Sequence, residues 1–358
     1  QAYPAMLESI ASARHRVWLM SYIFDPGGIG TRFANALQAA QQRGVQVCVL
    51  LDGVGDLYLG PRGSSLLRGL GLRVSLFIPP RLFPPLLHIN LRNHRKLMCV
   101  DGHTAFLGGM NIGDHHLVSI PLIAEARSVR RAQTSDLHFQ VQGAVVAQLE
   151  QVFAEDWKVS CGERLESSAA AAAPAGEAWC RALTDGPNED LARLQMTMVG
   201  ALSNAHRRVQ VMTPYFVPTA ELSSALTAAA LRGVEVSLIL PEQTDHPWLD
   251  GATRRWLSQL GESALQIFLR PAPFAHSKMF LVDDYYALLG SANLDPRSLR
   301  LNFELMLEIY DIDLVSHLHE HFGNVREASR RLDVAKLQSR PLGARLLDSA
   351  SWLFSPYL

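Results

Sequence analysis

Apolar positions along this chain fall into two similar series. Val17-Trp18-Leu19-Met20-Ser21-Tyr22-Ile23-Phe24 in the first half resembles Val209-Gln210-Val211-Met212-Thr213-Pro214-Tyr215-Phe216 in the second, and each follows a short helical pattern. Further on, Ala36-Leu37-Gln38-Ala39-Ala40 leads through Arg43-Gly44 into an apolar run at 45–51. Ala225-Leu226-Thr227-Ala228-Ala229 leads in the same way through Arg232-Gly233 into a run at 234–240. Each reads as an Ala-rich helix, a Gly stop and a buried strand. Strand, helix, strand in that order predicts βαβ units, and so two similar α/β lobes whose mixed, mostly parallel sheets are flanked by helices. Two β-hairpins are expected later in each series: 97–100 with 105–107 around Asp101-Gly102, and 279–282 with 287–289 around Asp283-Asp284.

The repetition divides the 358 residues into a first lobe at 1–165, a linker at 166–180 and a second lobe at 181–358 that ends in a helical, interfacial tail. The linker reading rests on an Ala-rich run at 167–176 that contains Pro174. Hydrophobic content of 48% with 19% charged residues excludes a mainly disordered chain. A net charge of -1 supplies no general attraction for polyanions, so nucleic acid is not an expected partner. Cys48, Cys99, Cys161 and Cys180 lie far apart in sequence and read as free thiols rather than metal ligands. No run of 18 apolar residues occurs, so no bilayer-spanning helix is expected, and a chain that starts at Gln1 reads as trimmed.

Chemistry enters through a spaced pattern that occurs once in each series. His94-Arg95-Lys96 with Asp101 and His276-Ser277-Lys278 with Asp283 both read H-x-K-x-x-x-x-D. Two of the chain's four lysines sit in it, and with 13 His and 18 Asp a scrambled chain would carry about 0.007 copies. On an extended strand His94 and Lys96 share one face, as do His276 and Lys278. Downstream, Gly108-Gly109-Met110-Asn111 and Gly290-Ser291-Ala292-Asn293 offer backbone approach and the donors Asn111, Ser291 and Asn293 for an anionic oxygen. Lobes packed face to face would bring two imidazoles and two ammonium groups into one pocket at their interface. Such a pocket suits a phosphodiester: a neutral histidine attacks phosphorus, a protonated one supplies the leaving oxygen with its proton, and the lysines offset charge. No metal or other cofactor is expected, and a bell-shaped pH dependence is.

These residues resemble the phospholipase D superfamily, which carries this signature, and the resemblance covers nearly the whole chain. Thr213-Pro214-Tyr215-Phe216-Val217-Pro218, the run from Gly290 through Asp295-Pro296-Arg297 to Glu304, and the ending Leu353-Phe354-Ser355-Pro356-Tyr357-Leu358 are similar to the bacterial cardiolipin synthase branch. The resemblance implies phosphatidyl transfer between two phosphatidylglycerols through a phosphohistidine, at the bacterial cytoplasmic membrane, with no obligate protein partner. Hydrolysis of phospholipid, or of nucleic acid, is the alternative within the superfamily. It further implies His94 as nucleophile, His276 as general acid and base, and an orienting acid for each: Glu304 for His94, Asp136 for His276. Gly109 standing where the second half has Ser291 departs from symmetry.

Other features carry plainer expectations. Asp101 and Asp283 belong to the signature and to the candidate catalytic set, yet both fall at hairpin turns, where Asp is common for backbone reasons. His115 and His116 read as exposed loop residues, and His317, His319 and His321 as a solvated helix without a third metal ligand. The apolar stretches 76–91 and 117–123, together with 346–358, read as a rim that meets a membrane surface.

Overall fold

A computed structural model of the chain describes residues 2–58, 60–80, 90–117, 133–167, 173–187, 192–259 and 265–354. The first half contributes strands β1 (Arg16–Ser21), β2 (Gln46–Asp52), β3 (Arg73–Phe77), β4 (Leu97–Val100), β5 (Thr104–Gly108), β6 (Thr134–Ser135) and β7 (His138–Gln142). Its helices are α1 (Ala2–Ser12), α2 (Gly28–Gln42), α3 (Gly63–Gly69) and α4 (Val145–Cys161). The second half contributes β8 (Trp179–Asp185), β9 (Arg208–Met212), β10 (Glu235–Pro241), β11 (Gln266–Arg270), β12 (Phe274–Ala275), β13 (Met279–Val282), β14 (Tyr286–Gly290), β15 (Glu304–Tyr310) and β16 (Arg330–Arg331). Among its helices are α5 (Arg193–Ser203), α6 (Ala220–Leu231), α7 (Pro247–Leu257) and α8 (Pro296–Arg300). They are followed by α9 (Ile312–Glu327), α10 (Val334–Gln338) and α11 (Leu342–Leu353).

The two main sheets repeat one topology. The first runs β3-β2-β1-β4-β5-β7, and the second runs β11-β10-β9-β13-β14-β15 with β16 and β8 added at its edges. Both sheets are mixed, but the expectation of mostly parallel pairing fails. Only β1, β2 and β3, and likewise β9, β10 and β11, pair in parallel. The hairpins and the strands beyond them are antiparallel, because a two-strand hairpin needs only a tight turn whereas a parallel neighbour needs a crossover. The continuous apolar runs reflect burial on both faces: β2 and β10 are each buried at six successive positions.

The repetition reaches individual atoms. Gly44 and Gly233, just past α2 and α6, both take φ +92°, a conformation that favours glycine. Beside them Arg43 donates to the carbonyl of Ile10 at the end of α1, and Arg232 to that of Leu202 at the end of α5. One apolar cluster joins the two sheets. It contains Met20, Leu97 and Leu107 of the first, Met279, Leu289 and Leu305 of the second, and Phe153 of α4 with Phe322 of α9. The remaining faces pack separately, on α1 and α2 in the first half and on α5 and α6 in the second. Residues 168–172 of the expected linker lie outside the described residues, and β8, within the second sheet, already begins at Trp179.

Candidate active site

The two signature histidines sit just before β4 and β13, on extended lead-ins rather than on the strands themselves. Each lead-in is held by the other half of the chain. The backbone N–H of His94 donates to Phe303 O at 2.9 Å, and that of His276 donates to Ser135 O at 2.8 Å. Asn93 and Phe303 form a lone parallel bridge, and β12 pairs in parallel with β6. In both places the accepting carbonyl belongs to the residue directly before an acid, Glu304 or Asp136.

That register brings each acid to its imidazole. His94 Nδ1 lies 3.0 and 3.1 Å from the two carboxylate oxygens of Glu304, and His276 Nδ1 lies 2.8 Å from Oδ2 of Asp136. The acids are fully buried, while the imidazoles keep 13% and 14% side-chain exposure, so the rings face the opening and the carboxylates stand behind them. A carboxylate at Nδ1 accepts the proton there and leaves the lone pair on Nε2. Lys96 Nζ donates to His94 O at 2.6 Å and lies over the Tyr22 ring. Lys278 Nζ donates to His276 O at 2.6 Å and sits 3.0 Å from His276 Nε2. It is also 2.7 Å from Nδ1, but one ring nitrogen cannot donate to Asp136 and accept from Lys278 at once. The buried carboxylate holds the stronger claim on that proton.

Burial and neighbouring charge set the protonation states. Burial, helped by Lys278 and opposed by Asp136, pushes His276 down to about 4, and burial likewise lowers His94 against the pull of Glu304. Burial also brings Lys96 down to about 7 and Lys278 to about 8. For Asp136, burial favours the neutral acid, yet Lys278 and His276 outweigh it and hold the carboxyl at about 2. Glu304 is lowered in the same way, with His94 and Lys96 overcoming burial. Lys278 acts on His94 and Lys96 on His276, so the half-sites share one electrostatic field. Both rings are neutral at neutral pH before an anion enters.

Surrounding groups lock this arrangement. Arg95, 1% exposed, donates to Glu304 O at 3.0 Å and pairs with Asp156 at 2.8 Å, which also accepts from Asn93. The Tyr22 ring meets His94 edge-on at 5.3 Å, and Tyr215 meets His276 at 6.3 Å. None of Arg95, Asp156, Tyr22 or Tyr215 was a candidate site residue from the sequence, although Arg95 lies inside the signature and Tyr215 inside a run that carries the family resemblance. The tyrosines are hidden because Tyr22 aligns with Pro214 and Tyr215 with Ile23 when the repeats are superposed.

The other candidates fare differently. Ser291 gives its hydroxyl to Glu304 Oε2 at 2.5 Å and accepts from Leu305 N–H, so it steadies the acid instead of meeting phosphate. Asn111 commits its amide oxygen to Ile23 N–H at 3.1 Å, whereas Asn293 Oδ1 is buried without a hydrogen-bond partner among the described residues. Asp101 and Asp283 do not enter the site. Both adopt φ +52° and accept backbone N–H groups where the chain enters β1 and β9, Arg14 to Arg16 and His206 to Arg208. They follow β4 and β13, whereas the histidines precede them. The signature's aspartate is therefore a turn anchor, for which Asp supplies both a tolerated left-handed backbone and three acceptor bonds. A hollow of about 570 Å³ beside Asp101 belongs to that remote end and holds neither histidine.

His116 departs from the expected exposed loop: it is buried, and its Nε2 accepts from Asn111 N–H at 3.3 Å. His317 is exposed, and His319 spans Gln210 and the Asp283 carbonyl. No group of three or more potential ligands that could hold a metal occurs among the described residues. Of the expected apolar rim, residues 81–89, 118–123 and 355–358 lie outside the described residues.

Two topologically equivalent halves that exchange orienting acids across a shared imidazole pair define a phospholipase D-like enzyme. Comparison with known proteins agrees and narrows it. The chain belongs to the family described as cardiolipin synthase, phospholipase D-like domain, which matches residues 6–157 and 198–326. It is 32% identical over 360 residues to the major cardiolipin synthase ClsA of Bacillus subtilis (strain 168), covering 99% of this chain and 73% of that protein. It is 34% identical over 362 residues to cardiolipin synthase A of Pseudomonas putida (strain GB-1), with the same two coverages. Among solved structures, phosphatidylserine synthase from Haemophilus influenzae Rd KW20 shares the fold, with a TM-score of 0.76 at 17% identity over 99% of this chain and 93% of that one.

Proposed function

We propose that the chain is a cardiolipin synthase-like phosphatidyltransferase acting on phosphatidylglycerol, with lobes 1–165 and 181–358 working as one catalytic unit at the bacterial cytoplasmic membrane. His94 Nε2 attacks phosphorus, and the bond from phosphorus to the glycerol oxygen breaks as that oxygen takes a proton from His276. A second phosphatidylglycerol then gives a glycerol hydroxyl proton to His276, its oxygen attacks phosphorus, and the phosphorus–nitrogen bond breaks to yield cardiolipin. Lys96 and Lys278 offset charge on the five-coordinate phosphorus. Because both rings are neutral in the free protein, His276 takes up a proton from solvent as the phosphodiester anion binds, since the anion's charge favours imidazolium.

The observation that carries this reading is the reciprocal pairing of His94 with Glu304 and His276 with Asp136, each acid supplied by the opposite half. Relatives named cardiolipin synthases, those of Bacillus subtilis and Pseudomonas putida among them, favour an alcohol acceptor over water. Incubation of the purified chain with phosphatidylglycerol alone, in chelator, tests it by mass spectrometry of the lipids formed. Cardiolipin and free glycerol are the expected products. Phosphatidic acid as the main product would replace transfer with hydrolysis.

A further inference from the structure

Helix α11 turns its polar side inward. Its buried residues are Asp348 and Ser351, whereas Leu342, Leu346, Leu347 and Leu353 are 60% to 70% exposed. At 3.6 residues per turn those four leucines project within an arc of about 140°. A helix that packs for its own stability puts such a stripe against the core. Here Asp348 is held instead, by Arg254 at 3.1 Å and by Arg340, and Ser351 packs on Gly251, where an added Cβ would come within 2.6 Å of its hydroxyl.

The same contacts fix the direction of the helix. Gly251 faces Ser351 and Arg254 faces Asp348, so α11 runs antiparallel to α7, and Trp352, Leu353 and Phe354 come to lie beside the first turn of α7. Trp248 in that turn is 53% exposed, and Phe354 is 59% exposed. This is also the end nearest the histidines: the ring of His246, which precedes α7, lies 5.5 Å from Tyr215, whose own ring lies 6.3 Å from His276. An apolar strip therefore runs from the flank of the catalytic pocket along the outside of α11.

We propose that α7 and α11 form a docking surface for a lipid bilayer, which delivers phospholipid to the adjacent pocket. The inference rests on the reading above, since a diacyl substrate keeps its chains in the bilayer and the enzyme must come to it. Leu342, Leu346, Leu347 and Leu353 enter the boundary between headgroups and acyl chains, Trp248 and Trp352 lie at headgroup level, and exposed Arg345 faces lipid phosphates.

Co-sedimentation with phosphatidylcholine vesicles containing phosphatidylserine as the minor lipid tests the surface. The double variant Leu346→Glu/Leu347→Glu binds on the order of 100-fold more weakly than the wild type. Leu231→Glu, at a still more exposed leucine of α6, binds as the wild type does. Brominated acyl chains quench wild-type tryptophan emission and quench Trp352→Phe less, a readout that needs no charge change. Unaltered vesicle binding by the double variant, equal loss in Leu231→Glu, or a dimer that dissociates in the double variant while vesicle binding persists, overturns the proposal. Turnover of phosphatidylglycerol in detergent micelles is unchanged in the double variant. A wild type that binds vesicles yet forms no cardiolipin in micelles overturns the functional reading and leaves the docking surface standing.

Discussion

The half-sites around His94 and His276 share a backbone device and differ in side chains. In one, Glu304 reaches His94 and is steadied by the Ser291 hydroxyl; in the other the shorter Asp136 reaches His276, and Gly109 occupies the position equivalent to Ser291. The shorter acid explains the glycine. A Cβ at 109 would stand 2.4 Å from Asp136 Oδ1, which accepts Leu137 N–H at 2.7 Å. Duplication has thus kept the place of the carboxylate's end, while acid length and neighbour changed together. The lysines differ too, since Lys278 lies against its own histidine ring whereas Lys96 lies over Tyr22.

The comparison can be broken at several points. His94→Ala and His276→Ala should each reduce phosphatidyl transfer on the order of 10⁴-fold, and the double variant little further, because the two act as a unit. Near-normal turnover in either would remove that half from the chemistry. Glu304→Gln and Asp136→Asn should each cost on the order of 10³-fold by misplacing the imidazole proton, while ring-nitrogen NMR reports a changed tautomer in the matching histidine alone.

A sharper test exchanges the pairs. Gly109→Ser alone should lower kcat about 100-fold by displacing Asp136, and adding Asp136→Glu should recover at least about tenfold. Losses that simply multiply would deny that length and neighbour are coupled. The pH dependence follows from the lysines, whose ordinary value burial lowers to about 7 and about 8. Their positive charge attracts the phosphodiester and is lost as pH rises, so kcat/KM should fall through that window. Lys96→Arg should move the fall to higher pH, and an unchanged limb would assign it to another group.

The smallest effect on chemistry is expected at the third signature residue. Asp101→Asn and Asp283→Asn should each lower stability by about 1–3 kcal/mol, read as a reduced Tm, through weaker acceptance of backbone N–H groups. Turnover per folded molecule should stay within about twofold. A large kcat loss at constant Tm would return these residues to the reaction.

Periodic burial and spacing already carried the duplication, the βαβ order, both hairpins and the imidazole–ammonium pairs, because each depends on residues close in sequence. Those properties are local: a strand alternates its faces, and a glycine ends a helix wherever the chain goes next. The antiparallel majority in each sheet, the tyrosines beside the rings, Ser291's turn toward Glu304 and the inward turn of Asp348 and Ser351 on α11 were decided only by tertiary structure. Each depends on which distant backbone lies alongside, as when Phe303 O receives the N–H of His94, 209 residues away. A sequence states which side chains exist, but their partners and their protonation follow from burial and distance, and both arise when the two sheets close on one core.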